Sequence, residues 1–153
     1  MDTVFTYDHL YHYTNAVFTA MGCPPDDAKL ATTVLLSADL RGIDSHGIAR
    51  LSGYMRLYEA GRINPTPNIQ VVYQTPSTAT VDGDKGLGLV VAPKAMAVAI
   101  EKATQVGTGW VSVKNSNHFG IAGYHAMMAL QHDMIGCAMT NASALVTPTF
   151  SKE

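Results

Sequence analysis

Nothing constrains this chain more than the two prolines of Asn64-Pro65-Thr66-Pro67-Asn68. Each proline lacks an amide donor and pushes the residue before it out of helical geometry, so no helix passes through this stretch. The hydrophobic pattern changes character across it. Before it the apolar residues recur every three or four positions. After it β-branched runs alternate with helical ones. The break therefore divides a helical unit, residues 1–67, from an α/β unit, residues 68–153.

In the first unit, Leu10, Tyr13, Val17, Phe18 and Met21 mark one face of a helix over about 5–22, closed by Gly22. Asp26 and Asp27, following Pro24-Pro25, suit the positive end of a second helix that runs to about Leu40. Ile48, Leu51, Met55 and Tyr58 predict a third helix from about His46 to Ala60, with Gly61 as its C-cap. In the second unit, 69–73 and 78–81 read as strands and Asp82-Gly83-Asp84 as a turn. A helix is expected over 89–106, a buried strand over 110–113, a helix over 120–132 and a strand over 134–139. The fold class is thus α+β, a mixed α/β chain whose second unit reads as incomplete at its C-terminal end.

Composition removes several function classes. The chain has 153 residues, a net charge of −2 and no block of like charge, which argues against nucleic-acid and anionic-membrane partners. The longest apolar stretch, Leu87 to Ala92, falls far short of the ~20 residues that span a bilayer. The start lacks a basic segment followed by an apolar run, so no signal peptide is read. Cys23 and Cys137 lie among apolar residues and are expected to be reduced, buried thiols of a cytoplasmic protein. Charged residues make up only 14%, against a typical ~25%, which points to a surface covered by a further segment or a partner.

Two segments could carry chemistry. Arg41-Gly42-Ile43-Asp44-Ser45-His46-Gly47-Ile48-Ala49-Arg50 gathers an imidazole, a hydroxyl and two guanidinium groups at a helix corner. His46 can exchange a proton near neutral pH, Ser45 can bond a substrate oxygen, and Arg50, four residues on, can hold a carboxylate with its fork. The plainer reading is a cap at Ser45, an Asp44–Arg41 pair and a packed imidazole. The second segment, Lys114-Asn115-Ser116-Asn117-His118-Phe119-Gly120, joins a strand end to a helix start, a common position for ligand contacts. It reads equally as an ordinary polar loop.

Other patterns lead nowhere. Gly83, Gly86 and Gly88 run G-x-x-G-x-G, not the dinucleotide fingerprint G-x-G-x-x-G. His118, His125 and His132 are seven apart, about 10 Å along a helix, too far to share a metal. No metal site is expected. A G-x-S-x-G hydrolase elbow is absent from the sequence.

Taken together, the two histidine segments resemble the malate/L-lactate dehydrogenase-like family of non-Rossmann nicotinamide enzymes. The likeness runs through Ala38 to Gly47, Tyr54, Gly61 to Pro67, Val81 to Asp84, Gly86 to Gly88, Asn115 to Tyr124 and Thr140 to Ala142. It implies a homodimeric oxidoreductase, of which this chain is an N-terminal part, moving a hydride between NAD or NADP and C2 of a small 2-hydroxy or 2-oxo acid. It implies that His118 and His46 are the acid/base pair, with His118 in the lead. It implies that Ser45, Arg50 and Tyr54 contact the substrate and that Thr140, Asn141, Ala142 and Ser143 touch the cofactor. The rival is a truncated, inactive paralogue serving as an interaction or regulatory module.

Overall fold

The structure is a computed structural model, and it describes residues 4–141. Helix α1 (Tyr7–Ala20) opens on Thr6, whose hydroxyl accepts the His9 amide at 3.3 Å. It closes at Gly22, which takes a left-handed φ of 92°. Helix α2 (Pro25–Asp39) begins on the proline and two aspartates that suit its positive end. Seven of its residues are buried, including Val34, Leu35 and Leu36, so it is the central helix and not a half-exposed one. On α1 the buried positions are Thr14 and Phe18, while Tyr13 is exposed. Of the face expected to point inward, Phe18 and Met21 are buried and Leu10 and Val17 half-buried; Tyr13 alone lies outside it, and Thr14 is buried in addition.

The third helix departs from expectation at its start. Two 3-10 turns, Asp44–His46 and Ile48–Arg50, precede α3 (Leu51–Glu59). Gly47, with ψ −144°, interrupts the helical path between them. The linker that follows is pinned to the sheet. Asp84 accepts hydrogen bonds from the Asn64 side chain and the Asn68 amide, both at 2.9 Å.

Strands β1 (Gln70–Gln74), β2 (Thr78–Gly86) and β3 (Trp110–Ser116) form one sheet in the order β1-β2-β3. β1 pairs with β2 antiparallel; β2 pairs with β3 in parallel, joined by the crossover helix α4 (Gly88–Val106). The turn expected at 82–84 is instead a bulge inside β2. Asp84 and Lys85 take left-handed φ values of 48° and 57°, and the pairing register jumps from Asp82 to Gly86. Asp82 stabilises the kink by accepting the Asp84 amide at 3.0 Å.

β3 is a correction too: it is exposed along most of its length, with Trp110 at 56%. It is an edge strand covered on one face by α4, and its Val and Trp content records strand propensity without burial. The predicted strand at 134–139 is absent. The segment pairs with neither outer strand of the sheet among the described residues. This segment instead runs against α5 (Ala122–Met127), where Gly136 packs so closely on the Ala126 carbonyl that a side chain would collide. Ile135 is 96% exposed and Cys137 is exposed, not buried as expected. After α5 the chain tightens into a 3-10 stretch, Met128–His132, in place of a continuous helix.

One core joins these pieces. Phe18, Leu35, Tyr54, Leu87, Leu89 and Val90 are buried together, so the start of α4 closes on the three N-terminal helices. Each such large side chain contributes about 1.5–3 kcal/mol by leaving water. The result is a mixed α/β fold in which the turn before α3 and the turn after β3 meet over the start of α4.

Candidate active site

The two histidine segments converge. His46 and His118 stack with ring centroids 5.6 Å apart and planes 28° from parallel. They come from turns 72 positions apart in sequence (118 − 46), and the core just described brings them together.

The His118 turn is fixed from below. Asn117 donates to the carbonyls of Lys85 and Gly86 at 2.8 and 3.0 Å. Gly88 lies so close to the Asn117 and His118 carbonyls that any side chain there would collide with them. The loop is therefore clamped to the β2–α4 junction. Behind it, His125 is buried, stacks on Phe119 at 4.9 Å and makes a 2.8 Å hydrogen bond from Nε2 to the Phe119 carbonyl. A carbonyl only accepts, so Nε2 carries the proton. Burial lowers the His125 pKa, partly opposed by that hydrogen bond, and the ring stays neutral.

Tyr54, from α3, supplies the remaining hold. Its ring is buried edge-on to Phe18, and its hydroxyl lies 2.7 Å from His118 Nδ1. Burial pushes the phenol well above its usual range, so it remains a neutral hydroxyl that can donate. The Gly120 amide also points at Nδ1, at 3.4 Å. The Tyr54 hydroxyl can donate to Nδ1 or accept from it according to the tautomer, so the same contact holds the ring in its charged and its neutral form. Partial burial lowers the His118 pKa, and the nearby His46 and Arg50 lower it further.

On the other side of the stack, Ser45 Oγ lies 2.9 Å from His46 Nδ1. Arg50 Nε donates to the Ser45 carbonyl at 2.6 Å. Arg50 is exposed, and its Nη atoms make no hydrogen bond among the described residues. Of the plainer reading of this corner, Arg41 and Asp44 form no ion pair among the described residues and Ser45 caps no helix, while His46 is packed against His118. Ile48 is held by a residue that sequence reading passed over. Its amide donates to Asp39 Oδ2 at 2.8 Å.

The profile of the malate/L-lactate dehydrogenase family matches residues 5–153. The chain belongs to this family. It is 50% identical over 142 residues to a malate dehydrogenase of Pyrococcus abyssi, covering 93% of this chain and 39% of that protein. It is 47% identical over 137 residues to an L-sulfolactate dehydrogenase of Methanocaldococcus jannaschii, covering 90% of this chain and 40% of that one. Among solved structures, the sulfolactate dehydrogenase of Methanocaldococcus jannaschii superposes with a TM-score of 0.84 at 44% identity, over 86% of this chain and 38% of that one. The malate dehydrogenase of Pyrococcus horikoshii OT3 superposes at 0.82 with 44% identity, over 85% and 37%. This family member thus spans about two fifths of the length of the relatives it matches.

Within that span, Ser45, His46, Arg50, Tyr54 and His118 form one cluster. Thr140 and Asn141 are exposed, with the Thr140 hydroxyl donating to the Asn141 carbonyl. Ala142 and Ser143 lie outside the described residues. The β2–α4 junction offers no cradle for a dinucleotide's diphosphate. The glycine-bearing β2–α4 junction is filled by the His118 loop, and the carbonyl of Leu87 takes the Val90 and Val91 amides.

Proposed function

We propose that this chain is the substrate-side portion of an NAD(P)-dependent 2-hydroxy-acid dehydrogenase. The observation that carries the reading is the His46–His118 stack, with His118 Nδ1 tied to the Tyr54 hydroxyl. The charged His118 ring, its Nδ1–H held by the Tyr54 oxygen, can then give its Nε2 proton to the oxygen on C2 of a 2-oxo acid. The nicotinamide supplies the hydride when bound. Its diphosphate is held elsewhere than at the filled β2–α4 junction.

In this reading Arg50 takes the substrate carboxylate through its free Nη atoms, in the fork geometry that suits a carboxylate. Ser45 orients His46, or reaches a second substrate oxygen. His118, in its charged form, gives its Nε2 proton as the C2 oxygen gains charge, and the neutral ring left behind is recharged from solvent. The neighbouring His46 and Arg50 disfavour the charged form of His118, which makes the charged ring a readier proton donor. Thr140, Asn141, Ala142 and Ser143 are assigned to the cofactor side, and the working enzyme is a cytoplasmic homodimer. The names of the relatives, malate, sulfolactate and hydroxycarboxylate dehydrogenases, support a small anionic hydroxy acid as substrate.

The full-length protein, supplied with NADH or NADPH and a set of 2-oxo acids, should consume the reduced cofactor. His118→Ala should lower that rate by about 10²–10⁴-fold, the usual worth of a placed acid/base histidine. Undiminished turnover in the variant would refute the assignment.

A further inference from the structure

Asp39 stands where a carboxylate is least welcome. It is the last residue of α2, at the negative end of the helix dipole, where cations are favoured. It is partly buried, and its carboxyl is held above its ordinary pKa by that burial, with Asp44 nearby adding to the effect. It belongs to none of the ion pairs among the described residues. A residue chosen for helix stability would not be acidic here.

What Asp39 does have is the turn that carries His46. Its Oδ2 accepts the Ile48 amide at 2.8 Å. Ile48 begins the second 3-10 turn, so its amide is one of those a helix start leaves without an internal partner. The same carboxyl lies against Gly47, so close that a β-carbon at 47 would overlap it. Gly47 has φ −92°, a value any residue can adopt, so glycine is required here for space and not for its backbone freedom. Asp39 therefore grips the two residues that follow His46, from a separate element.

We propose that Asp39 is a positioning residue, fixing Gly47 and Ile48 so that the His46 ring lies parallel to His118. Its effect on turnover rests on the dehydrogenase reading above; its effect on the turn does not. A displacement of about 1 Å at a reacting group can cost about 10²-fold in rate. The side-chain oxygen of asparagine can still accept the Ile48 amide, whereas alanine cannot.

The test compares Asp39→Ala, Asp39→Asn and Gly47→Ala in the full-length protein. Measurements are kcat and KM for a 2-oxo acid, hydrogen exchange at the Ile48 amide, and the ring-proton NMR shifts of His46. Asp39→Ala should lower kcat about 10²-fold with little change in KM. It should speed Ile48 exchange by about tenfold or more and move the His46 ring resonances off their stacked positions. Asp39→Asn should recover most of kcat. Gly47→Ala, which displaces the carboxyl while keeping it, should resemble Asp39→Ala and serves if the latter fails to fold. Native kcat and native Ile48 exchange in Asp39→Ala would overturn the proposal, as would an Asn variant as slow as the Ala variant. If the wild-type protein reduces no 2-oxo acid, the functional reading fails alone. Ile48 exchange and the His46 shifts then decide the role of Asp39, accelerated exchange supporting it and unchanged exchange overturning it.

Discussion

Removing one oxygen from Tyr54 separates two roles for that residue. Tyr54→Phe keeps the ring that packs edge-on to Phe18, 6.3 Å away, so it opens no cavity. It deletes the hydroxyl 2.7 Å from His118 Nδ1. What remains at Nδ1 is the Gly120 amide at 3.4 Å, longer than the 2.7–3.2 Å of an ordinary N–H hydrogen bond. A typical intramolecular hydrogen bond contributes about 0.5–1.5 kcal/mol, and His118 is accessible enough for water to replace part of it. The melting transition should therefore soften by less than about 1 kcal/mol. Turnover should fall further, because the freed ring samples orientations in which Nε2 misses the substrate. If the hydroxyl contributes ~1.4 kcal/mol of orientation, kcat falls about tenfold, well short of the loss on deleting the imidazole. KM for the oxo acid should hold, since Arg50 is untouched. Steady-state kinetics of the full-length enzyme decide it. A raised KM with native kcat would mean that Tyr54 acts on the substrate itself, and the argument from His118 would be refuted.

Further outcomes follow from the same geometry. His118 and His125 have depressed pKa values in the folded protein, while an unfolded histidine titrates near ~6.5, so between the two values the unfolded chain binds more protons. Their contribution to stability is then complete above about pH 6.5 and is lost as pH falls toward the folded values, which urea titrations at stepped pH would show. His125→Leu, which loses the bond to the Phe119 carbonyl, should flatten that acid dependence and lower kcat more than it raises KM. A variant that melts as the wild type does at every pH would contradict this. Cys23 is buried with its thiol pushed up to about 11, and Cys137 is exposed. A neutral-pH alkylating reagent should modify Cys137 and spare Cys23 until the chain unfolds, as peptide mass mapping would read. Phe18→Ala, at the centre of the core, should cost about 3–5 kcal/mol in chemical denaturation.

The sequence made some of this legible and hid the rest, for reasons that particular residues show. Helix α2 could be read from Pro25, Asp26 and Asp27, and Gly22 and Gly61 marked where helices stop, because those signals act within a few residues. The strand at 134–139 could not be excluded, since local apolar content does not show that Gly136 packs against the Ala126 carbonyl of α5 and away from the sheet. Trp110 misled in the same way, because burial of an edge strand depends on what covers it. At the site, the residue types of His46, Ser45 and Arg50 suggested chemistry, but their contact with His118 follows only from how α3 and α4 share a core. Asp39 left a signal that was present and unread: an acidic residue at the C-terminal end of a helix, nine positions before the amide it binds.

The site is held by groups whose protonation does not change as it works. Tyr54 has its pKa raised, His125 has its pKa lowered, and both stay neutral through the physiological range. In the proposed reaction the proton that moves is then the one on His118. That proton sets a direction. A depressed pKa makes His118 a stronger acid when charged and leaves it mostly neutral at pH 7. In the proposed reaction, reduction of the oxo acid should quicken as pH falls toward the His118 pKa. Oxidation of the hydroxy acid, which needs the neutral ring as base, should persist above it. A shared pH optimum for both directions would place the working proton elsewhere than on His118.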